Sequence, residues 1–136
     1  MDHPVMFEEH DPVLAAVREH ALAFPGAIET ITFGRPWFRA GATGRAFAIY
    51  GGGTKGPDPV RHEAALLVHV DEDELPARVQ DARFFVPAYF GPKGWLGIDV
   101  AGPATDWTEV DELLDASFRH LAPRSLVLEL DAQAVR

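Results

Sequence analysis

Two short segments of this 136-residue chain interleave aromatic rings with positive charges, a combination that suits the binding of nucleic acids or of other anions. They span residues 33–39 and 81–97, and the second has no acidic residue after Asp81. Aromatic rings stack on bases, whereas arginine and lysine neutralise phosphate groups. On these grounds the candidate binding residues are Arg35, Trp37, Arg39, Arg83, Tyr89 and Lys93.

The same rings also have a structural interpretation, which the sequence favours for most of them. Phe38, Phe84, Phe85 and Trp95 have the size and hydrophobicity typical of a core, and arginine stems can lie along buried rings. We therefore expect most of these aromatics to be buried. Tyr89 and the cations are the residues expected at the surface.

The charge distribution sets how strongly such a surface would bind nucleic acid. The net charge is −9 at pH 7, with acidic clusters at residues 71–74 and 106–115, whereas five cations and one acid lie between residues 34 and 62. Affinity for nucleic-acid backbones comes mainly from lysine and arginine. A few such contacts on an acidic chain predict weak, salt-sensitive binding.

No constellation in the sequence indicates catalysis or a metal. The chain has no cysteine, and its six histidines lack the His-x-His and His-x-x-x-His spacings of metal ligands. Ser117 falls inside a predicted helix, where its hydroxyl is expected to bond to the preceding turn. The glycine run at residues 51–56 lacks the Gly-Lys-Ser/Thr ending of a phosphate loop. The sequence thus predicts no catalytic residue, no metal site, no cofactor and a protein that is not an enzyme.

Length and composition predict one domain over residues 1–136, with a core at about 11–126 and a tail at 127–136. No apolar run approaches the roughly 18 residues that a membrane-spanning helix needs. The N-terminus carries acids where a signal peptide has cations. We therefore expect a cytoplasmic protein with no membrane partner.

The hydrophobic pattern predicts a two-layer α+β fold, in which helices cover one face of an antiparallel sheet in the order α-β-β-β-β-α-β-α. Asp11, Asp71 and Asp106 each suit the N-cap of a helix. Residues 51–59 are rich in glycine and proline and are expected to form a flexible loop. Alternating leucines at residues 126–130 predict an edge strand or a fraying end. The predicted strands are residues 27–33, 37–40, 45–50, 64–70 and 95–100.

At the aromatic segments the chain resembles the MmcQ/YjbR family. The resemblance extends from about residue 11 to residue 126. It is carried by Phe24-Pro-Gly26, Phe33-Gly-Arg-Pro-Trp-Phe-Arg39, Asp81-Ala-Arg-Phe-Phe85, Pro87, Tyr89, Gly91, Gly94-Trp-Leu96, Asp106-Trp107, Glu109-Val110, Leu113-Leu114, Ser117 and Pro123-Arg124.

The resemblance implies the same two-layer α+β domain and suggests a function. Members of this family are commonly labelled DNA-binding, so it implies weak DNA binding through the cationic and aromatic face. The alternative is a small-molecule or protein-binding module without catalytic activity, in which the rings line a groove and the cations hold an anionic ligand. In either case we expect a monomer or a homodimer.

Overall fold

A six-stranded antiparallel sheet with helices packed on one face forms the framework of this protein. The computed structural model describes residues 4–134. The strands lie side by side in the order β1-β2-β3-β4-β6-β5. In chain order the elements are α1 (Pro12–Ala21), β1 (Ala27–Thr32), β2 (Arg35–Ala40), β3 (Ala46–Gly53), β4 (Arg61–His69), α2 (Leu75–Arg78), β5 (Phe84–Phe85), a 3₁₀ turn (Gly91–Lys93), β6 (Trp95–Asp99), α3 (Trp107–Leu121) and α4 (Arg124–Ala134).

Aspartate N-caps begin the two helices that cover the sheet. The Asp11 carboxylate accepts a hydrogen bond from the Val13 amide at 2.8 Å, and Pro12 occupies the first helical position of α1. The Asp106 carboxylate accepts from the amides of Thr108 and Glu109 at 3.1 and 3.2 Å at the start of α3. The predicted starts of these two helices are thereby confirmed.

Side chains on alternate positions of each strand point to opposite faces of the sheet. On the helix-covered face, Phe38, Tyr50 and Leu66 join α1 and α3 in the principal core. On the other face, Ile49, Leu67 and Trp95 form a second, smaller buried cluster. The sheet therefore separates two hydrophobic layers, and only one of them is covered by helices.

Phe85, on the second face, lies with its ring over a glycine of the neighbouring strand. It lies opposite Gly97 in the register of β5 and β6. A methyl group added to Gly97 would collide with the end of the Phe85 ring. The other side of that ring stacks on His62, with centroids 3.8 Å apart and planes 11° apart. Residue 97 must therefore be glycine, because any side chain there would collide with Phe85.

The predicted fold class is confirmed, and several local predictions are wrong. The sheet gains a sixth strand, the two-residue β5, and the C-terminal segment forms the helix α4 rather than an edge strand. The glycines at 51–53 belong to β3 because Gly51, with φ +85°, makes a bulge that continues the pairing to Gly53. The second helix is the single turn α2 with Glu74 as its N-cap, so the N-cap predicted at Asp71 is wrong.

Within residues 4–134, every helix is too short or too polar to cross a bilayer.

The Tyr50 hydroxyl ties the sheet to the first helix and predicts a loss of stability at alkaline pH. It donates a hydrogen bond to the Asp11 carboxylate at 2.6 Å. Burial, together with this bond, raises the pKa of Tyr50 above its ordinary value. Because the folded pKa exceeds the unfolded one, the stabilisation is complete below about pH 10 and is lost as the pH rises further. Urea denaturation from about pH 8 to pH 11 should give a steeper fall in unfolding free energy for wild type than for Tyr50→Phe.

Tyr89→Phe is the matched control, because Tyr89 is the other tyrosine of the chain and its side chain is exposed. Its pH curve should follow the wild-type curve. Parallel curves for wild type and Tyr50→Phe would contradict the prediction.

Candidate functional site

An apolar groove of about 680 Å³ lies on the face of the sheet that the helices leave open. Ile49 and Leu67, on the central strands β3 and β4, form its floor. Trp37 of β2 and Phe90 also line it and contact each other, with ring centroids 5.8 Å apart in an edge-to-face arrangement. The groove therefore combines a buried aliphatic base with aromatic walls.

Residues 86–94 make one wall by crossing the sheet. The amide of Ala88 donates to the carbonyl of Gly53 at 2.8 Å, which ties this loop to the far end of β3. The loop then returns through the 3₁₀ turn, and Gly94, with φ +90°, permits the reversal into Trp95. A loop that starts at β5 therefore reaches across β6 and β4 before it joins β6.

Two exposed rings stand at the groove on backbone of unusual conformation. Phe33 has φ +51° and its residue is 61% exposed, and Tyr89 has φ +70° and is 83% exposed. Phe33 and Gly34 form the two-residue turn between β1 and β2, and both have positive φ, as in a type I′ turn. The Phe33 ring is tilted by 59° against Trp37, with centroids 5.8 Å apart.

Three cations line the groove, and they differ in how far they are neutralised. The Arg35 side chain is 13% exposed and lies against the backbone of Gly51, where a side chain would collide with its guanidinium. Glu63 is 3.6 Å from Arg35 and 3.2 Å from Arg61, so one carboxylate serves both arginines. Within residues 4–134, Lys93 forms no ion pair with a carboxylate, and it is exposed. Of the three cations, Lys93 is therefore the one whose charge is most available to a bound anion.

The structure brings four of the six predicted binding residues to this groove, namely Arg35, Trp37, Tyr89 and Lys93. Arg35 and Trp37 arrive there because they occupy alternate positions on the same face of β2. Tyr89 and Lys93 arrive on the crossing loop. The two aromatic segments thus meet although they are about 50 residues apart in sequence.

The other two predicted residues lie outside the groove lining. The Arg39 guanidinium sits 5.4 Å from the centre of the Trp37 ring and donates to the Thr30 hydroxyl at 3.1 Å. Arg83 pairs with Asp81 and Glu109 at 2.8 Å each, the second of these on α3. The bonds from Arg83 lower the pKa of Asp81 to about 2. Arg83 therefore has a structural role, since its ion pairs link the start of β5 to α3.

Sequence reasoning missed Phe33 and Arg61 as groove residues. A signal for Phe33 was present, because a residue before glycine between two strands is the first position of a hairpin turn. Nothing in the sequence placed Arg61, which reaches the groove through its position at the start of β4.

Two of the histidines pair with carboxylates. His62 lies 3.0 Å from the Asp99 carboxylate, and His20 lies 2.6 Å from Asp111 while its ring stacks on Trp107 at 4.5 Å. In the part of the chain that the structure describes, no three His, Asp or Glu side chains converge to hold a metal ion.

Comparison with known proteins gives one family match and a structural likeness. A family model described as YjbR matches residues 22–120. The crystal structure of Deinococcus radiodurans protein DR2400, assigned to the domain family DUF419, is similar with a TM-score of 0.56 and 19% sequence identity. The likeness covers 77% of this chain and 75% of that chain, and at this identity it concerns the fold alone. No curated protein matches the chain.

Proposed function

This chain belongs to the YjbR family, and because that membership fixes a fold and not an activity, we propose a function from the groove itself. The groove binds small molecules that combine an apolar body with an anionic group. The protein acts as a binding module and not as an enzyme.

The observation that carries this proposal is the chemistry of the groove lining. Its volume of about 680 Å³ lies within the range of about 300–1,000 Å³ typical of small-ligand sites. Among the described residues that line it, three are cationic and none is acidic, in a chain whose net charge is −9. An apolar interior with cations at its edge is complementary to an amphipathic anion.

The hydroxyl-bearing side chains of the lining support binding rather than catalysis. In the described part of the chain they are the hydroxyls of Thr32, Thr54 and Tyr89. A hydroxyl can orient a ligand by hydrogen bonding, but it needs a neighbouring base to act as a nucleophile. The histidine–carboxylate pairs, His62 with Asp99 and His20 with Asp111, are absent from the lining that the structure describes.

Reversing the charge of Lys93 should weaken the binding of an anionic amphiphile. We expect Lys93→Glu to lower the affinity for n-octyl phosphate about tenfold, because an attraction at the groove edge is replaced by a repulsion. Isothermal titration calorimetry measures this directly. A ligand-induced rise in melting temperature gives a second readout, since a ligand that binds only the folded state stabilises it by mass action.

Lys55→Glu provides the control. Lys55 is the other lysine of the chain and is exposed beside the groove without lining it. Both variants change the net charge equally, so Lys55→Glu should alter the affinity less than twofold if the effect is local. Equal losses of affinity in the two variants would defeat the proposal.

A second candidate function is the binding of single-stranded nucleic acid, including DNA. It is favoured by the exposed rings of Phe33 and Tyr89, which stand beside cations as stacking platforms do. Arg35, Arg61 and Lys93 would supply the phosphate contacts. Three contacts predict weak binding, with a logarithmic salt dependence no steeper than about −2 on a single strand.

Fluorescence anisotropy with labelled oligonucleotides at low salt tests the nucleic-acid candidate. Binding that weakens with salt and is lost in Lys93→Glu, but not in Lys55→Glu, would support it. The absence of any anisotropy change at tens of micromolar protein would remove it and leave the small-ligand proposal standing.

A further inference from the structure

The backbone conformation of two groove residues indicates which chemical class of ligand the groove binds. In residues 4–134, Phe33 and Tyr89 are the two non-glycine residues with positive φ, at +51° and +70°. Both line the groove. Residues other than glycine, asparagine and aspartate rarely adopt this backbone conformation, because the Cβ atom crowds the neighbouring backbone.

Burial of the rings does not account for these strained positions. The two residues are 61% and 83% exposed, so most of the hydrophobic gain available to a phenylalanine or tyrosine is not realised within the folded chain. Asparagine or glycine would fit the turn at position 33 with less strain. An aromatic side chain at both positions is therefore explained best by what it contacts in the groove.

The rings around the groove meet one another tilted or edge-on. Phe33 and Trp37 are inclined at 59°, and Trp37 and Phe90 at 71°. A flat ring system that packs on the exposed parts of these rings can add offset-stacked and edge-to-face contacts, each worth more than the burial of the same area of aliphatic chain. Lys93 follows Tyr89 by four residues, at the end of the 3₁₀ turn, and adds a positive charge to the same groove lining.

We infer that the ligand of this groove is a planar aromatic anion, an aryl phosphate or aryl carboxylate, held by stacking on Tyr89 and Phe33 with its anionic group beside Lys93. This inference rests on the proposed function and deepens it. It separates an aromatic ligand from an acyl chain of similar size and equal charge.

The test compares 1-naphthyl phosphate with n-octyl phosphate by isothermal titration calorimetry. The two probes share the anionic group and differ in the shape of the apolar body. Wild type should bind 1-naphthyl phosphate at least tenfold more tightly. Tyr89→Leu, which keeps an apolar side chain of similar size but removes the ring, should lower that affinity about fivefold to tenfold and change octyl phosphate affinity less than twofold.

Trp107→Leu is the control for loss of a ring elsewhere. Trp107 lies at the start of α3, stacked on His20 and outside the groove, so both affinities should stay at the wild-type value. Phe33→Leu should repeat the selective loss seen for Tyr89→Leu.

The outcomes separate the inference from the function on which it rests. Equal affinity for the two phosphates, with both lost in Lys93→Glu, would overturn the aromatic inference and keep the groove as an anion site. An unselective effect of Tyr89→Leu would also overturn it. Failure of wild type to bind either phosphate would overturn both.

Discussion

Ser117→Ala should lower the free energy of unfolding by about 2 kcal/mol, although Ser117 is remote from the groove. Its hydroxyl is fully buried, donates to the carbonyl of Phe47 at 2.6 Å and accepts from the amide of His69 at 3.0 Å. Continuing the register of Ala48 opposite Val68 by one step places Phe47 opposite His69. The hydroxyl therefore bridges two strands at a point where they would otherwise bond directly, and the alanine variant leaves both backbone groups without that partner.

Ser125→Ala is the matched control, because Ser125 is the other serine and lies exposed on α4. Its unfolding free energy should stay within about 0.5 kcal/mol of wild type. Urea denaturation monitored by circular dichroism measures both variants. Equal stability of Ser117→Ala and Ser125→Ala would show that the strands close the gap without the hydroxyl.

Gly97→Ala should destabilise the protein by about 2–3 kcal/mol, an effect that depends on a single neighbour. The new methyl group would collide with the end of the Phe85 ring, which is held on its other side by His62. His62 is in turn fixed by the Asp99 carboxylate at 3.0 Å. The ring therefore has little room to retreat.

A double-mutant cycle gives this prediction its sharpest form. In the Phe85→Ala background the obstacle is absent, so Gly97→Ala should instead stabilise by about 0.5–1 kcal/mol, because glycine within a strand is less favourable than alanine. The sign of the effect should thus reverse between the two backgrounds. A similar destabilisation in both would mean that the backbone at residue 97, and not Phe85, excludes the methyl group.

Local signals in the sequence were sufficient for the framework of the fold. Asp11 and Asp106 cap helices where their side chains predict, since an N-cap depends only on residues within one turn. The structure of the C-terminal segment was harder to predict, because Leu126 and Leu130 suit either a strand or a helix. Their packing against the core favours the helix α4.

The candidate site depended more on tertiary structure. Arg35 and Trp37 could be placed on one face by strand alternation alone. Arg83 and Lys93 are both cations within the second aromatic segment, so the sequence does not distinguish them. In the fold, Arg83 pairs with Glu109 of α3, whereas Lys93 lies on the crossing loop. Ser117 shows the same limit. The sequence predicts that its hydroxyl bonds to the preceding helical turn. Its partners are instead the backbone groups of Phe47 and His69 on two strands.

Because the sheet separates the two hydrophobic layers, the ligand specificity of the groove can change without disturbing the principal core. Substitutions at residues 33, 37, 89 and 90 alter the groove, while the principal core around Phe38, Leu66 and Phe118 lies on the opposite face. Effects of mutations that share no contacts usually add rather than interact. Ligand preference can therefore evolve, or be engineered, by exchanging a few residues on the open face while the folding of the chain is maintained by the other.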